Sequence, residues 1–381
     1  MARHATFSSM PSPPLNPPFC PNPRCRFHDA TEFSAWCYQS RGARRVRRSP
    51  RPVRMFSCCS CRRWFCDAAF TVDYWKKKTG VLTQAYRLIT DGQALRQAAR
   101  TIGVAVTTVK RAERQLAKQA LLIQLQQERA LTARLDEPLV LDGARSFAGS
   151  QNEPAEVNGI FAAESGFCFE LRAFGLRRSG TMTERQRELR AQRDRRLGRP
   201  DPQARRNLVE QALRRLEALF APRITIELRT DQEPAYASAL KALKRKVRHI
   251  TVSSTVRRDS RNPLWMINHK HRVQRHCLAS WRRETIAHHK NLAGLQDRQL
   301  VHRVWLNHTK GVSERRLPER RITPAMRLGL SAQRLSGSEL FFRRRFPKRE
   351  RLPESLRPLY EGTVKARPRE VCNPYIHSYA Y

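Results

Sequence analysis

Long apolar runs are missing from this 381-residue chain. No stretch approaches the roughly 18 consecutive apolar residues of a membrane-spanning helix, so no membrane association is expected. The first residues also lack the apolar stretch of a secretory signal peptide, which predicts a cytoplasmic protein. In that compartment the ten cysteines are expected to be reduced thiols or metal ligands, not disulfides.

Acidic residues are scarce: 33 Asp and Glu stand against 74 Lys and Arg, for a net charge of +41. This excess predicts a polyanionic partner, because cationic side chains along a phosphate backbone release condensed counterions. Hydrophobic residues make up 40% of the chain, which indicates a folded protein with at least one sizeable core. A small ribosomal or chromatin-like basic protein is therefore the weaker interpretation.

Composition divides the chain into five predicted segments. They are a flexible Pro-rich lead at 1–18, a Cys- and Arg-rich module at 19–80, a helical segment at 85–130, an α/β segment at 136–315 and a basic extension at 316–381. Within the α/β segment, residues 138–255 predict strands, one long helix and then strand–helix–strand. Residues 264–310 predict a continuous helical stretch rich in His and Arg.

Two cysteine pairs predict a metal site. Cys20 and Cys25 lie in FCPNPRC, and Cys58 and Cys61 lie in FSCCSCRRWF. Two knuckles about thirty residues apart fit a structural four-thiolate zinc site, which would stabilise a segment with few core residues. Cys59 could replace Cys58. Further possible substitutes are Cys37, Cys66 and His28, and the alternative interpretation is a set of scattered reduced cysteines.

The loop between the cysteine pairs, RGARRVRRSPRPVR, is dense in arginine. In so basic a protein it predicts contact with DNA phosphates, although a solvated charge run would have the same composition. The residues expected to make these contacts are Arg44, Arg45, Arg47 and Arg48.

The stretch LRQAARTIGVAVTTVKR predicts a helix-turn-helix. Gly103 suits a turn residue with positive φ, and Val104 and Val109 would pack the second helix on the first. The residues expected on or beside the groove-facing side of the recognition helix are Thr107, Thr108, Lys110 and Arg111. An ordinary amphipathic helix pair within a bundle remains the alternative.

Two aspartates follow apolar, strand-like segments. PLVLDG ends a strand at Asp142, and ITIELRTDQ ends another at Asp231. Carboxylates at the ends of neighbouring strands could share divalent metal ions such as Mg²⁺ or Mn²⁺, as two-metal phosphoryl transfer requires. Each aspartate taken singly could instead serve a turn or a helix cap.

A third ligand is expected from the following helix, in RNPLWMINHKHRVQRH. Asn268 offers a neutral carbonyl oxygen, and His269 or His271 could add a ligand or a proton-transfer group. Glu284 could supply a carboxylate about four turns further along the same helix, but pairing with neighbouring arginines is its simpler role.

Taken together, these motifs resemble bacterial insertion-sequence transposases that carry an N-terminal zinc ribbon, a helix-turn-helix and an RNase H-like catalytic domain. FCPNPRC and CCSCRRWF are similar to the zinc knuckles, and LRQAARTIGVAVTTVKR to the helix-turn-helix. LVLDG and LRTDQEPAY resemble the two aspartate motifs, and NPLWMINHKHRVQRH…WRRET the last motif. The resemblance covers about residues 19–310.

The resemblance implies a multidomain α/β protein whose catalytic domain has a mixed five-stranded sheet flanked by helices. It implies metal ions between Asp142 and Asp231. The chain departs from many relatives at two positions, since Asn268 stands where they carry Glu and Gly143 where they carry a second acid. Similar transposases with Asn in that place carry a Lys or His nearby.

The expected function is therefore a DNA transposase that binds terminal repeats, cleaves a strand and joins its 3′-OH to target DNA. At least a homodimer in the DNA complex is expected, because two ends must be processed together; bound to DNA, the protein would lie at the nucleoid. Two alternatives remain: a non-catalytic DNA-binding protein derived from a transposase, acting as a repressor or architectural factor, and a structure-selective nuclease.

Overall fold

A computed structural model describes residues 16–29, 36–46, 52–282 and 285–371 of the chain. These residues form two compact units that divide between Thr79 and Gly80.

The first unit contains a three-stranded antiparallel sheet in the order β1-β2-β3. Its strands are β1 (Tyr38–Arg44), β2 (Val53–Cys58) and β3 (Trp64–Cys66). The core is small and aromatic: Phe56 and Phe65 stack with ring centroids 5.6 Å apart, and Phe70 packs edge-on against Phe65. Because few side chains are buried, the hydrophobic stabilisation of this unit is small, and a cross-link such as a metal site would add to it.

The second unit begins with three helices. They are α1 (Val81–Thr90), α2 (Leu95–Ile102) and α3 (Val106–Leu131). Between α2 and α3, Gly103 has a φ of +73°, which a glycine adopts without strain, so the predicted turn is confirmed. Ala98, Ala99 and Val109 are buried where the helices pack. The 26-residue α3 continues well past this turn and packs on the rest of the unit.

Five strands form one mixed sheet in the order β6-β5-β4-β7-β8. They are β4 (Leu139–Phe147), β5 (Pro154–Ala162), β6 (Cys168–Gly175), β7 (Ile226–Thr230) and β8 (Val247–Thr251). The three strands β4 to β6 are antiparallel, whereas β7 runs parallel to β4 and β8 parallel to β7. The expected mixed five-stranded sheet flanked by helices is therefore confirmed.

Five helices accompany this sheet. They are α4 (Glu184–Leu197), α5 (Ala204–Leu216), α6 (Pro234–Leu240), α7 (Trp265–Cys277) and α8 (Leu292–His308). All except α4 cover its faces. One core contains Leu141, Leu228 and Leu213 of α5, and the other contains Val140, Val157 and Ile267 of α7. Three short helices follow: α9 (Pro324–Arg327), α10 (Gly337–Leu340) and α11 (Arg357–Glu361).

Two helix predictions were wrong. The single long helix expected before β7 is two helices, because Gly198 and Pro200 interrupt it. The continuous helical stretch expected over 264–310 is also two helices. Since α7 ends at Cys277, Glu284 does not belong to it, and Glu284 itself lies outside the described residues.

Helix α8 is buried on almost every side although it carries many polar residues. Its amides complete the free edge of β6: Asn307 bonds both backbone groups of Cys168, and Gln296 accepts from the Ala173 N–H. Such partners are required because an unpaired buried backbone group costs free energy. Among the described residues, no helix is long and apolar enough to cross a membrane.

Candidate functional site

Four cysteine thiols converge in the first unit. The Sγ atoms of Cys20, Cys25, Cys58 and Cys61 all lie within 4.8 Å of one another. Cys20 and Cys61 are 3.6 Å apart and Cys25 and Cys58 are 3.9 Å apart. A tetrahedral zinc ion with bonds of about 2.3 Å would space its sulfurs about 3.8 Å apart. The cluster could therefore bind a metal such as zinc.

The turns around these cysteines explain the convergence. Cys25 N–H donates to the Asn22 carbonyl, and Arg62 N–H donates to the Cys58 carbonyl, so each pair lies on a tight knuckle. His28 instead bonds the Cys20 carbonyl through Nδ1, and neither it nor Cys59 belongs to the group. Burial raises the pKa of the Cys20 thiol, so binding a cation here would release protons.

The residues predicted to contact DNA are only partly described. In the first unit Arg44 and Arg45 are exposed, whereas Arg47 and Arg48 lie outside the described residues. In the second unit Thr107, Lys110 and Arg111 are exposed on the first turns of α3, and Thr108 is half-buried. The start of α3 therefore presents a polar, basic surface beside the Gly103 turn.

Asp142 and Asp231 lie side by side at the centre of the sheet. Leu141 and Thr230 are the last residues that pair between the parallel strands β4 and β7, and each is followed by an aspartate. Asp231 follows the end of β7 as expected, whereas the strand expected to end at Asp142 continues to Phe147 because β4 also pairs with β5. Asp231 Oδ1 accepts a 3.1 Å hydrogen bond from the Glu233 N–H, as a turn aspartate does. Among the described residues, neither carboxylate forms an ion pair with a Lys or an Arg.

This lack of cationic partners separates the two aspartates from other acids of the same unit. Glu170 contacts three arginines, and Asp194 also contacts three. Asp142 is sheltered, with 24% of its side chain exposed. Burial, with smaller contributions from the carboxylates of Asp231 and Glu156, raises the pKa of Asp142 to about 6.

Helix α7 brings His271 against this pair. Its Nδ1 lies 3.7 Å from Asp142 Oδ2, and its Nε2 is buried without a hydrogen-bond partner among the described residues. Burial lowers the pKa of His271 to about 4, so at neutral pH the contact joins a neutral ring to a carboxylate and is not an ion pair. Asn268 is half-buried one turn earlier, on the same side of the helix. His269 stacks on Trp265 instead.

Sequence reasoning missed a polar cluster beside the aspartates. Glu156 of β5 is 3% exposed and accepts hydrogen bonds of 2.8 and 2.7 Å from Arg205 Nε and Nη2. Arg205 also pairs with Glu233, next to the turn that contains Asp231. The guanidinium therefore ties β5 to the end of β7. An acid within the otherwise apolar segment PAEVNGIFA was the available signal.

The same cluster explains Gly143. A Cβ on this residue would lie 2.4 Å from Glu156 Oε1 and 3.0 Å from Asn158 Oδ1. Any side chain there would displace Glu156, so an acid at this position could not fit without rearrangement. Tyr236 of α6 also lies close, since burial and then the carboxylate of Asp142 raise its pKa.

The carboxylates of Asp142 and Asp231 suit a hard divalent cation, but the possible ligand atoms do not all lie close together. Oxygen ligands are those that Mg²⁺ prefers, although the charge of Arg258 also acts on Asp142. In residues 16–29, 36–46, 52–282 and 285–371, however, only one group of three or more His, Cys, Asp or Glu side chains has all its ligand atoms within 4.8 Å of one another. That group is the four cysteines. Asp142, Asp231 and His271 do not meet that condition together.

No protein-family model matches the chain, and no curated protein matches it.

Proposed function

We propose that this chain is a DNA transposase with an RNase H-like catalytic domain, using Asp142 and Asp231 for metal-dependent strand cleavage and strand transfer. The observation that carries the proposal is this carboxylate pair. Its members follow the last paired residues of two adjacent parallel strands and have no Lys or Arg ion-pair partner among the described residues, in a chain of net charge +41. Where acids are so heavily outnumbered, two neighbouring carboxylates without an ion-paired Lys or Arg favour a metal site.

Asp142 and Asp231 would hold Mg²⁺ or Mn²⁺, with Asn268 or His271 as the additional ligand from α7. Such ions, when bound, activate the attacking oxygen and stabilise the leaving one. His271 is neutral at neutral pH, so a ring nitrogen could accept a proton or bind a metal. Arg205 pairs with Glu156 of β5 and with Glu233, which follows β7, and thereby limits the movement of these two strands relative to each other.

The remaining parts would bind DNA. We assign the four-cysteine module as a zinc ribbon and the α2–α3 segment as a helix-turn-helix, which together would recognise the element's terminal repeats. Supporting this assignment, the first turns of α3 expose Thr107, Lys110 and Arg111. Phosphate contacts would position the protein, and base contacts from α3 would specify the site.

A strand-joining assay tests the proposal. Purified protein would be incubated with Mg²⁺ or Mn²⁺ and labelled DNA from the ends flanking its own locus. Joined products should vanish in Asp142→Asn and Asp231→Asn, which keep side-chain shape. They should persist in Asp136→Asn, a matched change at an exposed aspartate. Mn²⁺ binding, followed by electron paramagnetic resonance, should weaken in the first two variants only.

Other outcomes would select the alternatives. End binding without cleavage in either metal would indicate a non-catalytic DNA-binding protein, which the neutral Asn268 in place of an acid favours. Cleavage without joined products would indicate a nuclease. Wild-type activity in Asp231→Asn would refute the assigned site.

A further inference from the structure

Helix α4 contributes nothing to the hydrophobic core. None of its 14 residues is buried, although helices of folded domains normally bury one face. The segment 176–200 that contains it carries nine arginines against three acids. Because no apolar face holds this helix against the rest of the unit, other contacts must fix its position.

Ion pairs hold α4 in place. Asp194 accepts from Arg367 at 2.8 Å and from Arg177 at 2.9 Å, and Arg193 contacts Glu153 at 3.0 Å. Arg367 is 2% exposed at its side chain and bonds Glu153 as well, so it joins the two acids. These contacts neutralise the Asp194 carboxylate on the inner side of the helix.

The exposed surface of α4 is left positive, with arginines spread over about half of the helix circumference. Four exposed arginines have no hydrogen-bond or ion-pair partner for their side chains among the described residues: Arg185, Arg187, Arg195 and Arg196. Two exposed acids, Glu184 and Glu188, offset only half of that charge.

Glu153, which anchors α4, lies toward the same end of the sheet as the two aspartates. Glu153 is in the hairpin that joins β4 to β5, beyond Phe147. Because β4 runs parallel to β7, this hairpin projects past the ends of the strands that carry Asp142 and Asp231. Phe147 is five residues beyond Asp142, or roughly 17 Å along an extended strand.

We propose that the exposed basic surface of α4 binds the phosphate backbone of duplex DNA beside the catalytic carboxylates. The inference rests on the proposed function and deepens it by assigning a surface that holds the DNA flanking the reacting bond. The contacts are to backbone, so they should not depend on base sequence.

The test compares two variants of equal charge. One changes Arg185, Arg187, Arg195 and Arg196 to Gln. The control changes four other exposed arginines to Gln: Arg315, Arg316, Arg320 and Arg321. Affinity for end-containing and for random duplex would be measured by fluorescence anisotropy between 50 and 300 mM salt. Circular dichroism would verify that both variants fold.

The α4 variant should lower the slope of log affinity against log salt concentration by about three to four, equally for both duplexes. The control should change the slope by less than about one. In ethylation-interference experiments, the wild type should show sensitive phosphates in the duplex flanking the cleaved bond, and the α4 variant should lose them.

An unchanged slope in the α4 variant, or an equal loss in both variants, would overturn the inference while leaving the proposed function intact. If the wild type binds neither duplex, both fall. If it binds DNA through α4 but the ends are neither cleaved nor joined, the surface stands and the catalytic assignment fails.

Discussion

Replacing Glu170 by Gln should destabilise the second unit strongly. Glu170 lies on β6, is 1% exposed, and contacts Arg172 at 3.2 Å, Arg215 at 3.0 Å and Arg303 at 3.5 Å. These arginines belong to the sheet, α5 and α8, and Arg215 also pairs with Glu128 of α3 at 2.8 Å. One carboxylate therefore joins the sheet to the helices around it. Removing its charge leaves buried guanidinium groups without compensation.

The size and sign of the effect follow from the pKa of Glu170. Burial raises it, but the guanidinium groups of Arg172, Arg215 and Arg303 outweigh burial and lower it from 4.5 to about 2. A carboxyl whose pKa is depressed on folding adds stability that is fully present above its unfolded value and is lost as pH falls toward 2. The lowering of the Glu170 pKa from 4.5 to about 2 corresponds to about 3 kcal/mol at pH 7, and to about half of that at pH 3.

Urea unfolding followed by far-ultraviolet circular dichroism would measure this. Glu170→Gln should lower the free energy of unfolding by about 3 kcal/mol at pH 7, and its difference from the wild type should shrink by about half at pH 3. The matched control is Glu188→Gln, an exposed residue of α4, with a change below about 0.5 kcal/mol. A loss of less than about 1 kcal/mol at pH 7, or the same difference at both pH values, would refute the reasoning.

Two further substitutions test the neighbouring interpretations. Gly143→Ala should lower the free energy of unfolding by about 1–3 kcal/mol, because its Cβ would meet Glu156 Oε1 at 2.4 Å; unchanged urea unfolding would show that Glu156 moves aside freely. Cys61→Ser should abolish stoichiometric zinc, measured by elemental analysis, whereas Cys66→Ser should retain it because Cys66 lies outside the four-thiol group; equal zinc loss in both would contradict that ligand set.

Local patterns in the sequence were sufficient for several features. The knuckle spacing of the cysteines predicted the four-thiol group, because tight turns bring neighbouring thiols together whatever surrounds them. Gly103 predicted the turn between α2 and α3 for the same local reason, its freedom to adopt positive φ. Apolar alternation also predicted the strands that bring Asp142 and Asp231 together, but β4 does not end at Asp142 as expected: its pairing with β5 extends it to Phe147.

Helix boundaries were predicted less well. The polar stretch before β7 favoured one helix, but Gly198 and Pro200 end it, and only α5 reaches the core. The stretch after residue 264 likewise divides after Cys277. In such Arg- and His-rich segments the hydrophobic periodicity is weak, so tertiary packing decides where a helix ends.

The sequence by itself determined which chemistry the chain can carry: four thiols at knuckle spacing, two aspartates after apolar strands, and a large excess of positive charge. Only the tertiary structure decided which distant groups meet. Strand pairing brings Glu156 over Gly143, and packing of α7 turns His271 toward Asp142. These contacts depend on register and helix rotation, which long-range packing sets and which no local spacing encodes.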